Sequence, residues 1–289
     1  MNLILIGNTG FFGKEIYKHL KKSKKIKSLT SISSKKIDLL KEKNISKLSK
    51  LYKKNSMIIF CAGIKKQYGD NIKIFNQNQK IIVNFAASLN SNVKRIIFFS
   101  SAKVYGDNSF EHKLILESSS LNASCAYGKA KTLCEEHIIK SAEDMNFTYL
   151  IFRMPPLLIN HPKSNVGKLF QFLGKGFPIP SFAVGDKNSR SFLSYKLLCA
   201  VMELTLENDS YINNEIFNLS DTHSLSTNQL FREIALTMQK NARIIYFPNF
   251  LFRAMLRVNR LQLILCRLFG NFNLSNAKLR KNFNLVDRP

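Results

Sequence analysis

Tyr127 and Lys131 stand four residues apart in the stretch ASCAYGKAKTLCEEH, residues 123–137, which reads as the opening of a helix. At that spacing two side chains lie one above the other, so an ammonium can sit beside a phenol. A free tyrosine titrates near about 10, too high for a base at neutral pH, and a neighbouring positive charge favours its phenolate. Such a pair can exchange a proton with an alcohol or a carbonyl oxygen. An aromatic and a lysine also share helical faces for no chemical reason, so the pair alone decides nothing.

A second cue lies at the start of the chain, where GNTGFFG places Gly7, Gly10 and Gly13 between an apolar run and a lysine-rich amphipathic stretch carrying Ile16 and Leu20 on one face. The order is strand, turn, helix. Glycines there permit a tight turn, close approach of a pyrophosphate and close helix packing, while the helix start offers N–H groups and partial positive charge. A glycine pattern gains weight from exactly this context of a strand before it and a helix after it.

The elements that must hold these groups are legible as apolar runs. NLILIG (2–7), SLTSIS (28–33), MIIFCAG (57–63), RIIFFSS (95–101) and FTYLIFR (147–153) are separated by helical patterns such as FNQNQKIIVNFAASL. Continuous β-branched and aromatic runs suit strands buried on both faces, and their alternation with helices requires parallel crossovers. Residues 1–153 are predicted to form an α/β doubly wound parallel sheet. After Arg153 the rhythm changes: MPPLLINHPKSN is a proline-containing loop, VGKLFQFLGKG a short helix and NEIFNLSD one more strand. Ser226 and Gln229 form a capping box that opens STNQLFREIALTM. Residues 154–289 are predicted to be a smaller mixed α/β part that binds substrate, with about 190–220 returning to the first unit and no linker between the two.

Composition narrows the function classes. The chain has 289 residues, 45% of them hydrophobic, which suits a globular protein. Five cysteines (Cys61, Cys125, Cys134, Cys199, Cys266) without CxxC spacing argue against a disulfide framework and a zinc site, and five scattered histidines add no metal motif. No metal is expected. No apolar run approaches the roughly 18–20 residues that span a bilayer, and the start lacks the flanks of a signal peptide, so a cytoplasmic protein is expected.

The net charge of +25 is uneven: 15 lysines face three acids between Lys14 and Lys54. Such a surface attracts polyanions, whether nucleic acid, anionic lipid or a diphosphate substrate. It also follows from a lysine-rich composition alone, and no aromatics interleave with it as in single-strand binders, so no specific nucleic acid is expected. FLFRAMLRVNRLQLILCRLFG (250–270) sets Arg253, Arg257, Arg260 and Arg267 along one stripe of an apolar helix. It reads either as a helix packing its apolar face inward or as one in weak association with a membrane surface.

The glycine loop, Cys61-Ala62-Gly63 closing one apolar run, SSAKVYG after the next and YxxxK about 25 residues later together resemble the extended short-chain dehydrogenase/reductase family, of the NAD-dependent epimerase/dehydratase type. The resemblance implies a Rossmann domain in residues 1–153 and catalytic roles for Tyr127, Lys131 and Ser101. It implies cofactor contacts from Gly7, Thr9, Gly10, Phe11, Phe12 and Gly13, from Cys61, Ala62 and Gly63, and from Asn76 and Lys131. Ser33, Ser34, Lys35 and Asp38 follow the second strand, where the adenosine lies in this family. The segment after Arg153 resembles the substrate half of bacterial UDP-sugar 4-epimerases and 4-keto reductases, with Asn165 and Arg190 at sugar-nucleotide positions. LLINHP departs there from the usual YGP, which leaves the loop and the sugar open. The family also implies a homodimer through the helix after Asn76, with Ile81, Ile82 and Phe85 at helical spacing, and the helix of Lys131.

The cofactor divides two readings. An NAD enzyme of this type carries an acid at the end of the second strand to hold the ribose 2′-hydroxyl. Here the sequence is SISSKK, which suits a 2′-phosphate and leans toward NADP. The expected activity is hydride transfer at C4 of a UDP-hexose or UDP-N-acetylhexosamine for surface polysaccharide. A 4-epimerase that keeps its cofactor is the first reading and an NADPH-dependent 4-keto reductase the alternative. A non-catalytic Rossmann binding protein is the reading from another class, with the retention of Ser101, Tyr127 and Lys131 against it.

Overall fold

The computed structural model describes residues 2–24, 26, 28–64, 72–162, 164–207 and 212–285. Lys163, and Lys25 and Lys27 of the lysine-rich run, lie outside them. Each of the five apolar runs becomes a strand, β1 (Asn2–Ile6), β2 (Ser28–Ile32), β3 (Ser56–Phe60), β4 (Val93–Ser101) and β6 (Thr148–Met154), and an unpredicted two-residue β5 (Leu114–Ile115) lies between the last two. Between them lie α1 (Phe11–Lys22), α2 (Ile45–Ser49), α3 (Ile72–Ser88) and α4 (Ala126–Met145).

The second part contains β7 (Leu157–Leu158), α5 (Asn165–Gly174), β8 (Ile179–Ser181), α6 (Val184–Lys187), β9 (Leu193–Ser194), α7 (Tyr195–Glu207) and β10 (Glu215–Asn218). It continues with α8 (Thr227–Thr237), β11 (Ile244–Tyr246), α9 (Asn249–Leu256), α10 (Asn259–Phe269), β12 (Asn273–Leu274) and α11 (Ala277–Asn282). No described helix is long and apolar enough to cross a membrane.

Six strands form one parallel sheet in the order β10-β6-β4-β3-β1-β2. The chain runs outward from β1 to β2 and then returns to the other side of β1 as β3, so the winding reverses between β1 and β3. Side chains alternate across the sheet with period two. Leu3, Leu5, Met57, Ile59, Ile97 and Phe99 pack on one face with Ile16 and Leu20 of α1 and Leu198 and Val201 of α7. Ile4, Ile6, Ile58, Phe60, Ile96 and Phe98 pack on the other with Ile82 and Phe85 of α3 and Cys134 and Ile138 of α4. The helices on both faces are why these strands carry no polar alternation.

Residues 154–289 do not form a separate body. β10 extends the main sheet, α7 covers it, and α11 also returns: Leu279 and Phe283 lie in the core of the first unit, with the Phe283 ring 5.4 Å from Phe217. What remains outside is a small core of Val166, Leu173, Ile179, Leu230, Phe231 and Ile234 beneath α5, α8 and the β8–β11 pair. The capping box at Ser226 and Gln229 forms as predicted. The 250–270 stretch is two helices rather than one, broken where Val258 adopts extended backbone between α9 and α10. That break lets Phe252, Leu265 and Phe269 meet Phe182 in one cluster. Ile81, Ile82 and Phe85 of α3 are buried in the monomer's own core, so they are not available to a dimer contact.

A buried ion pair fixes α4 to the sheet. Arg153 at the end of β6 donates to both carboxylate oxygens of Glu135, with Nη2 at 2.7 Å from Oε2, and both side chains are almost fully buried. Ser100 of β4 donates to the same carboxylate. Arg153 Nη1 donates to the Tyr105 hydroxyl at 2.9 Å, and that hydroxyl donates to Asn218 of β10 at 2.8 Å. Pairing with Glu135 and Tyr105 raises the Arg153 pKa against the opposing effect of burial. Removing one partner leaves the other as an uncompensated buried charge. Glu135→Ala is therefore expected to destabilise the fold by about 3–5 kcal/mol, against about 1 kcal/mol for the cap variant Ser226→Ala, both read from urea unfolding midpoints.

Candidate active site

In open parallel sheets, ligands bind outside the carboxyl ends of the strands where the winding reverses. Here that point lies between β1 and β3. Gly7 ends β1 at φ +91°, donates its N–H to Ile32 O at 2.8 Å, and faces the chain leaving β3 so closely that an added Cβ would lie 2.7 Å from Ala62 N. A Cβ on Gly13 would lie 2.1 Å from Gly7 O, so the first turn of α1 can approach the loop only without a side chain. Gly10 differs: the nearest atom to its added Cβ is 3.5 Å away, and its position is exposed with Thr9. The start of α1 has no acid in its first turn and no side-chain cap. Two glycines thus close the cradle and the third leaves it open beside a helix start, an arrangement that fits a pyrophosphate.

The opposite wall is carried by β4 and α4. Ser101 is the last residue of β4 and its Oγ accepts from Lys103 N at 3.3 Å, which opens a short 3₁₀ turn through Tyr105. Gly128 lets α4 press on that turn: a Cβ there would lie 2.6 Å from Lys103 O. Cys125 caps the helix, its sulfur accepting from Gly128 N at 3.4 Å. Tyr127 is thereby brought over the end of β4, half-buried, with Lys131 buried one turn below. The Lys131 ammonium donates to Phe99 O at 2.9 Å and lies 4.4 Å from the centre of the Phe98 ring. Ser101, Tyr127 and Lys131 line a single cleft whose other lining includes Phe11, Phe12 and the Cys61–Gly63 segment.

Not every residue expected at the site takes the predicted place. Asn76 is exposed in the second turn of α3, whereas Asn78 is buried and holds the chain after β3. Asn78 Oδ1 accepts from Ile64 N at 2.8 Å and its amide donates to Ile64 O at 3.1 Å. The periodicity of Ile74, Asn78, Ile81, Ile82 and Phe85 on one face could have found it. Ser33 lies half-buried at the end of β2, Ser34 and Lys35 are exposed in the turn that follows, and the Asp38 carboxylate accepts from Leu40 N at 3.0 Å.

Asn165 and Arg190 do not line the cleft with the others. Asn165 is exposed as the first residue of α5. Arg190 Nη1 donates to Leu268 O at 3.3 Å, its guanidinium stacks 5.5 Å from the Phe192 ring, and no carboxylate pairs with it among the described residues. Burial pulls its pKa down to about 10. The altered loop after β6 lies against the glycine cradle, with the His161 and Phe11 rings 4.4 Å apart. Its path is fixed from below: Ser164 N donates to His161 O at 2.8 Å, Ser164 Oγ accepts from Gly167 N at 2.7 Å, and a Cβ on Gly167 would collide with His161 O.

A cradle for a dinucleotide facing a serine, a tyrosine and a lysine agrees with the relatives of this chain. Residues 3–220 match the NAD dependent epimerase/dehydratase family. A UDP-glucose 4-epimerase of Vibrio cholerae is 28% identical over 254 residues, covering 83% of this chain and 76% of the relative. The crystal structure of the Thermotoga maritima UDP-glucose 4-epimerase with UDP-glucose superposes with a TM-score of 0.72 at 16% identity, over 98% of this chain and 93% of that one. The structure of RMD from Pseudomonas aeruginosa with NADPH gives 0.73 at 15% identity, over 98% and 92%. With the family matched from the first strand through β10, and the glycine cradle at the reversal of the sheet, the chain belongs to the NAD-dependent epimerase/dehydratase family.

Proposed function

We propose that this enzyme transfers hydride at C4 of a UDP-hexose or UDP-N-acetylhexosamine and acts as a 4-epimerase in surface polysaccharide synthesis. The observation that carries this reading is the meeting of Ser101, Tyr127 and Lys131 in one cleft whose lining also includes Phe11 and Phe12, which open the helix after the glycine cradle, and Cys61–Gly63. A nicotinamide dinucleotide bound in the cradle supplies the hydride acceptor and donor. The chain's own residues handle the proton. Tyr127 takes it from the C4 hydroxyl as the hydride leaves the same carbon, and returns it to the oxygen when the hydride comes back on the opposite face. Lys131, buried one turn below Tyr127 with its ammonium on Phe99 O, would hold the nicotinamide ribose. Ser101 donates to the same substrate oxygen and orients it.

The end of β2 favours a second reading. Ser33, Ser34 and Lys35 place hydroxyls and a cation where an acid would hold a ribose 2′-hydroxyl, and the nearest acid, Asp38, has its carboxylate engaged by Leu40 N. That set suits the 2′-phosphate of NADP and with it a 4-keto-sugar reductase that consumes NADPH.

Incubation with UDP-glucose or UDP-N-acetylglucosamine is expected to yield the C4 epimer without net nucleotide turnover. Stoichiometric NADPH oxidation with a 4-keto sugar, and no epimer from either UDP-sugar, would favour the reductase instead. Tyr127→Phe is expected to lower kcat by about 10²–10⁴-fold with the fold intact by circular dichroism; unchanged turnover would remove the proton-transfer role. The nucleotide released on denaturation is expected to be NADP, with Lys35→Glu shifting the preference toward NAD. Tightly held NAD in the unsubstituted protein would refute the assignment of the β2 end.

A further inference from the structure

The face formed by β11, α9 and α10 is not used by the site described above. Between Ile234 and Val286 the sequence has nine basic residues and no acid. The fold turns much of this segment's apolar surface outward. Phe252, Leu265 and Phe269 are spent on the inner cluster with Phe182, while Phe250 is 66% exposed, Leu263 59%, Ile264 51% and Val258 51%. On α10, Arg260, Leu263, Ile264, Arg267 and Leu268 share one face at helical spacing, all exposed. On α9, Phe250 and Arg253 do the same, with Arg257 exposed at the helix's C-terminal cap. Ile245, Tyr246 and Phe247 extend the patch from β11.

Arg253, Arg257 and Arg260 make no ion pair among the described residues. Two acids outside the segment are engaged by other groups, Asp186 with Arg232 at 3.2 Å and Asp107 with Lys103 at 2.7 Å and with Ser124, although the Arg267 charge also acts on Asp107. Soluble surfaces scatter their apolar residues singly, and a contiguous patch of this kind marks an interaction site.

We propose that this face is a peripheral docking surface for an anionic lipid bilayer, with the aromatic and aliphatic side chains entering the headgroup boundary and the arginines meeting lipid phosphates. Alternation of bulky apolar residues with arginine on two short helices, without an acid between them, matches what an anionic interface rewards. A second copy of the chain fits less well. A two-fold contact sets the same patch against itself, bringing arginine to arginine with no carboxylate from either helix to pair them. Nucleic acid would use the arginines but leave Leu263, Ile264 and Leu268 against water, since single strands are held by aromatic stacking and charge.

The test is co-sedimentation of the full chain with vesicles of phosphatidylcholine containing about one third phosphatidylglycerol, at about 0.15 M salt, against vesicles of phosphatidylcholine alone. Binding is expected to the anionic vesicles and to be at least about tenfold weaker to the neutral ones, at roughly fivefold per arginine near the surface. The double variant Phe250→Asp, Ile264→Asp and the triple variant Arg253→Gln, Arg257→Gln, Arg260→Gln are each expected to lose at least about tenfold, with unchanged thermal unfolding. A control with Lys43→Gln, Lys47→Gln and Lys50→Gln, all exposed, is expected to bind within about twofold of the unsubstituted protein.

Absence of binding to anionic vesicles overturns the proposal. So does binding lost in the lysine control but kept in the Phe250, Ile264 variant, which would assign it to the lysine-rich surface. Capture of a single-stranded oligonucleotide through the three arginines without vesicle binding would assign the face to nucleic acid. A dimer by light scattering that the Phe250, Ile264 variant dissolves, again without vesicle binding, would assign it to a second copy.

Discussion

A guanidinium and a carboxylate held out of water must remain together, because either one alone is a buried charge with no solvent. Glu135 and Arg153 are such a pair, and the candidate active site depends on it. Tyr127, Lys131 and Glu135 follow at intervals of four along α4, so the ion pair at the third position fixes the rotation of the helix that presents the first two. The same carboxylate accepts from Ser100, the neighbour of Ser101. One buried charge pair therefore sets the helix, the end of β4 and the end of β6 in mutual register. The Tyr105 hydroxyl passes the constraint on to Asn218 of β10, so the edge strand that returns from the second part of the chain is tied to the same point.

The facing wall is fixed by a different force. Around the glycine cradle the contacts are backbone against backbone: Gly7 against Ala62, Gly13 against Gly7, and across the cleft Gly128 against Lys103. No side chain mediates these approaches, and each would be lost with a single methyl group. One wall is thus positioned by paired charge and the other by the absence of Cβ atoms, and the two meet at the reversal of the sheet.

The parts of the structure whose cause is local are legible in the sequence. Strands buried on both faces announce themselves as apolar runs, as β1, β3, β4 and β6 do, while the half-exposed edge strand β2 carries Ser28, Thr30 and Ser31 and the two-residue β5 leaves no pattern. Glycine spacing, the capping box and the four-residue interval between Tyr127 and Lys131 are likewise properties of neighbouring residues. What stayed hidden needed partners far along the chain. Arg153 meets Glu135 across 18 residues and Tyr105 meets Asn218 across 113, and nothing in FTYLIFR marks its arginine as buried. Asn76 and Asn78 lie two apart on one helix, and only the apolar face marks Asn78 as the buried one that holds Ile64. The stretch from 250 to 270 read as one helix since its periodicity is nearly continuous across Val258. Its fold-back is caused by Phe182, which lies some 70 residues earlier and draws Phe252 and Phe269 into one cluster.

The loop after β6 carries a further consequence. Its backbone is held from beneath by Ser164 and by the glycine contact at His161, and it leans on Phe11 from the side. Ile159, Asn160 and His161 are therefore side chains mounted on a path that other residues determine. For an engineer this is a cassette: Asn160 and His161 can be exchanged beside the start of α1 while the chain keeps its course, whereas Ile159 is committed to the sheet core. For an evolving lineage the same mounting separates the invention of a new specificity from the risk of losing the fold.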